Sequence, residues 1–129
     1  MVNQNKKIAL QFLKLVVLGK IDEAYTKHID LKGKHHNVFF SAGFLALREA
    51  MKQAHVQFPN KKFTMKNVLC DGDLVAVHSL MVLKPNEPGI SVVHLFRFKK
   101  GRIIEMWDCG QAIPTNMPNK DGAFWSEKN

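Results

Sequence analysis

The stretch Ile90–Gln111, ISVVHLFRFKKGRIIEMWDCGQ, decides how the rest of the chain is read. Apolar residues recur at every second position, the period of a half-buried strand. Ile90, Val92, His94, Phe96 and Phe98 form one row, and Ile104, Met106, Asp108 and Gly110 form a second. Between the two runs, Lys99-Lys100-Gly101 fits a three-residue hairpin loop with glycine in the left-handed position. The spacing therefore predicts antiparallel strands over Ile90–Phe98 and Arg102–Gln111, with Phe98 opposite Arg102. In that register His94 lies opposite Met106 and Val92 opposite Asp108. His94 and Asp108 are then diagonal neighbours on one face, with Cβ atoms about 6–8 Å apart. An imidazole and a carboxylate thus enter rows that are otherwise apolar.

The same period extends upstream. Lys61–Asp71 and Leu74–Leu83 read as two more strands, joined by the tight turn signal Asp71-Gly72-Asp73. His78 belongs to the row Leu74, Ala76, His78, Leu80, Val82. A loop of roughly seven residues after Val82 sets it beside His94 on the same face, and a one-residue slip moves it to the other.

Before these strands the period is helical. Ile8, Phe12, Leu15 and Val16 predict a helix over residues 3 to 18, stopped at Gly19. Ile21, Ala24 and Tyr25 suggest a short second helix from about Lys20 to Lys27. His28 to Phe40 reads as an irregular segment ending in a short strand. Ser41 is a plausible N-cap for a third helix carrying Phe44, Leu47, Ala50, Met51 and Ala54, which ends near Gln57 ahead of Pro59.

Helices followed by an antiparallel meander give an α+β class. A strongly twisted sheet wrapped around one long helix leaves its core open at one end, so an apolar pocket is expected there. His36 and Asn37 suit its rim, His35 is expected to be exposed, and Met81, Met106, Phe96 and Phe98 suit its walls. Pro114 and Pro118 mark the exit, so residues 1–114 are expected to form the domain and 115–129 a tail of low regularity.

A chain of 129 residues with 46% hydrophobic and 23% charged residues fits one globular domain. The formal charge of +8 raises the question of nucleic acid. The lysines are scattered, however, with only short pairs such as Lys61-Lys62 and no interleaved aromatic platform. A solvated basic surface is the simpler account; it disfavours nucleic acid and stays compatible with anionic substrates such as coenzyme A thioesters. Cys70 and Cys109 fall in apolar runs and read as buried thiols. No stretch approaches the ~18 apolar residues of a membrane span, and the polar start reads as an amphipathic helix, so a cytoplasmic protein with no membrane partner is expected.

Asp108 carries the chemical argument. A carboxylate facing aliphatic and aromatic side chains loses hydration, which raises its pKa, while a nearby protonated histidine lowers it. That tension tunes acid–base groups. The competing structural account is an aspartate bonded at a strand end or paired with a lysine outside the pocket. For His78 and His94, the competing account is a core histidine bonded to a backbone carbonyl. His36, His78, His94 and Asp108 are acceptable zinc or iron ligands by type, yet they lack ligand spacing, so no metal is expected. Ser41, Ser79 and Ser91 lack a nucleophile elbow, Cys109 lacks a defined base, and the glycines form no phosphate loop.

Four segments carry a resemblance. His35-His36-Asn37-Val38 is similar to a Gln-His-Asn-Pro motif. Asp71 to His78 is similar to a Gly-Asp hairpin followed by a histidine-bearing strand. Val92 to Phe98 with Gly101 to Glu105 is similar to a Val-Val-Asp-Ile-Phe-Arg strand and its hairpin. Met106-Trp107-Asp108 with Gln111 and Pro114 is similar to a His-Trp-Asp-x-x-Gln-x-x-Pro close. In this order they resemble the SnoaL-like polyketide cyclases of the nuclear-transport-factor-2-like superfamily. The resemblance implies a cystatin-like α+β cone, a deep pocket, and a homodimer formed through the outer sheet face. It also implies aldol-type cyclisation, isomerisation or dehydration run by acidic or histidine side chains without a cofactor. Two departures stand out: His94 replaces the family's strand aspartate, and Met106 replaces the histidine of His-Trp-Asp.

Two functions follow as expectations. One is a cofactor-free enzyme in which Asp108, with His94 or His78, abstracts a proton next to a carbonyl. Tyr25, His36, Asn37, Phe96, Met106 and Trp107 are then the candidate substrate-binding residues. The other is a non-catalytic protein that binds a small apolar or aromatic ligand.

Overall fold

The computed structural model describes residues 2–124, with the side chains of residues 2 and 3 excepted. The elements run α1 (Val2–Val17), α2 (Ile21–His28), β1 (Ile29–His35), α3 (Phe44–Gln57), β2 (Lys62–Asp71), β3 (Leu74–Val82), β4 (Ile90–Lys99) and β5 (Arg102–Ala112). Helix α1 ends as its sequence predicts. Gly19, at φ +84°, lets Lys20 N–H reach the Leu15 carbonyl at 2.9 Å and its own N–H reach Val16 at 3.0 Å, a Schellman closure. Among the described residues no helix is long and apolar enough to cross a membrane.

The five strands form one curved sheet in the order β1-β5-β4-β3-β2. Strands β2 to β5 are the expected antiparallel meander. The fifth strand corrects the reading of His28 to Phe40 as largely irregular. Ile29–His35 pairs with β5, and it does so in parallel, so the sheet is mixed. Its sequence shows no alternation because the register breaks between Ile29 and Lys34. Gly33 lies inside that break, where a Cβ would collide with the Ile104 carbonyl.

Phe12 on α1 meets the Phe96 ring at 5.9 Å and the Tyr25 ring at 5.5 Å, both edge to face. Val75, Val77, Ile103 and Phe96 on the sheet, with Ala24 on α2 and Phe44 on α3, are fully buried in the same core. Two local expectations need correction. Gly43, at φ +93°, caps α3, and the Ser41 carbonyl instead accepts a bond from His35 Nε2. Cys109 is exposed and Cys70 partly exposed, so neither is the buried thiol expected. Residues 115–124 contain only turns and bends, and the remainder of the expected tail lies outside the described residues.

Candidate functional site

The β4–β5 ladder differs from the expected one at two places. The turn is a two-residue one, Lys100-Gly101, both residues with positive φ (52° and 76°), so Lys99 pairs with Arg102. That backbone matches the right-handed twist of the flanking strands. A bulge then separates the pair Phe98–Ile103 from the pair Arg97–Glu105. The two offsets run in the same direction and together amount to one full period, so Met106 and Asp108 keep their face while Ile103 takes the inward place expected of Ile104. The outcome is a direct pair: His94 lies opposite Asp108, and Phe96 opposite Met106. Directly opposed residues hold their Cβ atoms about 4.5–5.5 Å apart, closer than the expected diagonal.

Asp108 is half-buried and forms part of the wall of two spaces. The larger is a cavity of about 580 Å³ lined by Val92, Met81, Ile90 and the segment Asn37–Phe40, among others. The smaller is a chamber of about 40 Å³ reaching into the core, lined by Tyr25, His94, Met51 and Met106 among others. At the mouth of the larger cavity Val38 and Phe39 project into solvent, 87% and 86% exposed.

The mouth segment is shaped by residues that alternate at the end of β1. His35 points inward and is buried, against the expected exposure. Its Nε2 donates to the Ser41 carbonyl at 2.8 Å, and its Nδ1 accepts the Asn37 N–H at 3.1 Å. The Asn37 side chain then closes a short turn by accepting the Phe39 N–H at 2.9 Å, and donates through Nδ2 to Asp108 Oδ2 at 2.9 Å. His35 is thus the residue that sequence reasoning missed. The period-2 continuation of β1 into His35 was the available signal, hidden by the irregular pairing at Gly33.

The electrostatics follow from dryness. Burial pushes the His94 imidazole below its usual range, and the Asp108 carboxylate opposes that shift without overcoming it. His94 is therefore a neutral base at pH 7. Its Nδ1 is shielded from solvent and meets no hydrogen-bond partner among the described residues. Burial pushes the Tyr25 phenol up, and the negative charge of Asp108 adds to the shift. Tyr25 is 1% exposed, and its hydroxyl likewise meets no partner among the described residues.

The remaining candidates lie elsewhere. His78 pairs with Val93, while Val77 takes the place opposite His94. Met81 is the partner of Ile90, one residue off the expected register, and that slip turns His78 to the outer face. There its Nε2 meets Ser91 Oγ at 2.8 Å and its ring packs 4.8 Å from Phe124. The expected convergence of His78 with His94 and Asp108 is therefore corrected. His36 and Trp107 are also on the outer face, stacked at 5.1 Å, with His36 Nε2 2.6 Å from Glu105 Oε2. Phe96 and Met106 are inward beneath His94. Among the described residues no three His, Cys, Asp or Glu side chains gather as a metal site.

A profile of the SnoaL-like domain matches residues 18–106, more than half of the chain. The chain belongs to the SnoaL-like family. Solved structures give this SnoaL-like protein the same fold. A protein from Jannaschia sp. CCS1, provisionally named a SnoaL-like polyketide cyclase, superposes with a TM-score of 0.72 at 17% identity, covering 85% of this chain and 87% of that one. A SnoaL-like protein of unknown function from Burkholderia thailandensis gives 0.73 at 13% identity, covering 87% and 98%. A protein from Kribbella flavida, provisionally named a ketosteroid isomerase, gives 0.71 at 14% identity, covering 99% and 93%. Among curated proteins none matches. At these identities the neighbours establish the fold, and function has to be argued from the site.

Proposed function

We propose that this SnoaL-like protein binds a small apolar or aromatic carbonyl compound and moves a proton next to that carbonyl, using its own side chains and no cofactor. The observation that carries the reading is the direct opposition of Asp108, on the wall of an apolar cavity, and a neutral His94, which lines the small inner chamber that Asp108 also borders. Asp108 takes the proton as the C–H bond breaks, and the electron pair passes to the carbonyl oxygen. His94, in the tautomer that carries hydrogen on Nδ1, donates to the enolate oxygen that forms. Return of the proton to a different carbon is isomerisation. Attack of the enolate carbon on a second carbonyl is aldol-type cyclisation. A positioned acid–base pair of this kind contributes about 10²–10⁴-fold.

The test needs no knowledge of the natural substrate. Deuterium uptake at the α-carbon of a cyclic aryl ketone, such as 2-tetralone, is followed by proton NMR in heavy water. Wild type is expected to exceed the buffer rate, and Asp108→Asn to fall to it while remaining folded. Exchange that survives in Asp108→Asn removes Asp108 from the mechanism.

A second reading, a binding protein without catalysis, is favoured by one observation. Asn37 already occupies Asp108 Oδ2 at 2.9 Å, which holds the carboxylate as a fixed acceptor. Saturable ligand binding with no exchange in any ketone tested would select it. In either reading the apolar outer row Leu69–Ala76–Leu95–Trp107, one residue from each of four strands, supports a homodimer through the outer sheet face. Leu95→Glu is expected to shift the sedimentation coefficient toward that of a monomer.

A further inference from the structure

The mouth of the larger cavity carries an apolar tip that stands in solvent. Val38 and Phe39 are 87% and 86% exposed, and Phe40, next in the chain, is 41% exposed. Single exposed apolar residues are ordinary, but consecutive ones at the rim of a cavity mark a contact surface. The tip is held in shape. The Asn37 side chain accepts the Phe39 N–H at 2.9 Å, the Asn37 carbonyl accepts the Phe40 N–H at 3.5 Å, and Asn37 itself is tied to His35 and Asp108. We infer that Val38–Phe40 is a membrane-surface anchor, which dips into the interface of an anionic lipid bilayer and turns the cavity mouth toward the lipid. The contact does not depend on the proposed proton transfer.

Backbone and charge both support a lipid surface. A segment that leaves water for lipid needs its N–H groups satisfied within the protein, and those of Phe39 and Phe40 already are. Met81 and Leu83 line the same mouth. Lys62 pairs with Val82 between them, and Lys84 follows Leu83. The Lys84 ammonium lies 6.0 Å from the Phe58 ring, and the Phe58 carbonyl accepts from Lys61 at 3.4 Å. Lys61, Lys62 and Lys84 thus gather beside the mouth, and none of them joins an ion pair among the described residues. Glu87, in the loop after Lys84, offsets one of the three charges. With a net charge of +8, the chain as a whole is drawn toward a negative surface. A second copy of the chain fits the tip less well, since it brings the same positive charge to the contact. The expectation of no membrane partner rests on the lack of a spanning stretch, which bears on crossing a bilayer and leaves contact with its surface open.

The full-length chain is mixed with vesicles of phosphatidylcholine alone or with about 30% phosphatidylglycerol, and the bound fraction is read by co-sedimentation. Wild type is expected to bind the anionic vesicles at least about tenfold more tightly than the neutral ones. Salt at about 0.5 M is expected to remove most of that preference. The double variant Val38→Ser/Phe39→Ser is expected to lose at least about tenfold on the anionic vesicles. Its circular dichroism is expected to stay unchanged, because both side chains stand in solvent. Lys62→Glu and Lys84→Glu are each expected to lose about fivefold or more. No binding to the anionic vesicles overturns the inference. Binding that the double variant retains in full also overturns it, since that is only the attraction of a basic protein to a negative surface. Self-association that the double variant abolishes, without vesicle binding, overturns it in favour of a second copy as the occupant. Ketone exchange is measured without vesicles, so failure of either result leaves the other standing.

Discussion

The two faces of the sheet around β5 carry the same pair of chemical groups in opposite surroundings. On the outer face His36 and Glu105 meet at 2.6 Å with side chains 40% and 23% exposed. Glu105 is held below its usual carboxylate range chiefly by the bond from His36, with Lys34 and Arg97 adding to the shift. Arg97 also reaches Asp73 at 3.2 Å, so the pair belongs to a solvated ion network. On the inner face His94 and Asp108 are opposed across the strands, and burial dominates by pushing the imidazole down. Water makes the outer pair an ordinary surface contact. At the inner pair burial keeps the imidazole neutral beside Asp108, the contrast on which the proposed proton transfer rests.

The comparison breaks most sharply at Asp108. Asp108→Asn is expected to lower ketone exchange by about 10²–10⁴-fold, whereas Glu105→Gln, its outer counterpart, leaves exchange unchanged; parallel NMR rate measurements on both variants check this. Next in size is the wall beneath His94. Phe96→Ala removes a fully buried ring that stacks beside the imidazole. It is expected to cost about 3–5 kcal/mol in urea unfolding, and the water it admits is expected to raise the His94 titration midpoint.

A smaller effect is the pH dependence of stability. The folded state resists a proton that unfolded His94 accepts near pH 6.5. Between the lowered folded midpoint and about pH 6.5 the unfolded state therefore binds more protons, so stability rises with pH across that window and is lost as pH falls. His28, lowered by burial and by the nearby positive charges of Lys27 and Arg102, acts with the same sign. Chemical denaturation from pH 7.5 to 5 is expected to show a shallower acid loss in His94→Gln than in wild type. Smallest of all is His36→Ala. It is expected to let the Glu105 midpoint rise toward its usual value with little change in unfolding, as read by carboxyl NMR.

How far the sequence reveals this contrast depends on what sets each feature. The strands that alternate cleanly, Leu74–Val82 and Ile90–Lys99, are legible because one face is buried and the other is not. The helices are legible for the same reason at their own period. Strand β1 is not: its partner is distant in sequence, its pairing is parallel, and Gly33 interrupts its pattern. The fine register of the site is the least legible part. Lys99-Lys100-Gly101 is compatible with two loop lengths, and nothing in the sequence announces the bulge beside Phe98. Each shifts the ladder by one residue. Because both lie in one hairpin, Asp108 stays inward; because only one such shift separates β3 from β4, His78 turns outward. Candidate residues can therefore be chosen from a strand pattern, but which of them meet is decided by turns and bulges.

The measurement that tests this account most directly is the titration of the His94 imidazole by NMR, in wild type and in Asp108→Asn. A midpoint below 6.5 in wild type that falls further when the carboxylate is removed is the predicted result, since the negative charge of Asp108 is what partly supports the protonated ring. A midpoint at or above 6.5, or one that does not move in Asp108→Asn, would show that the two groups do not share a dry site.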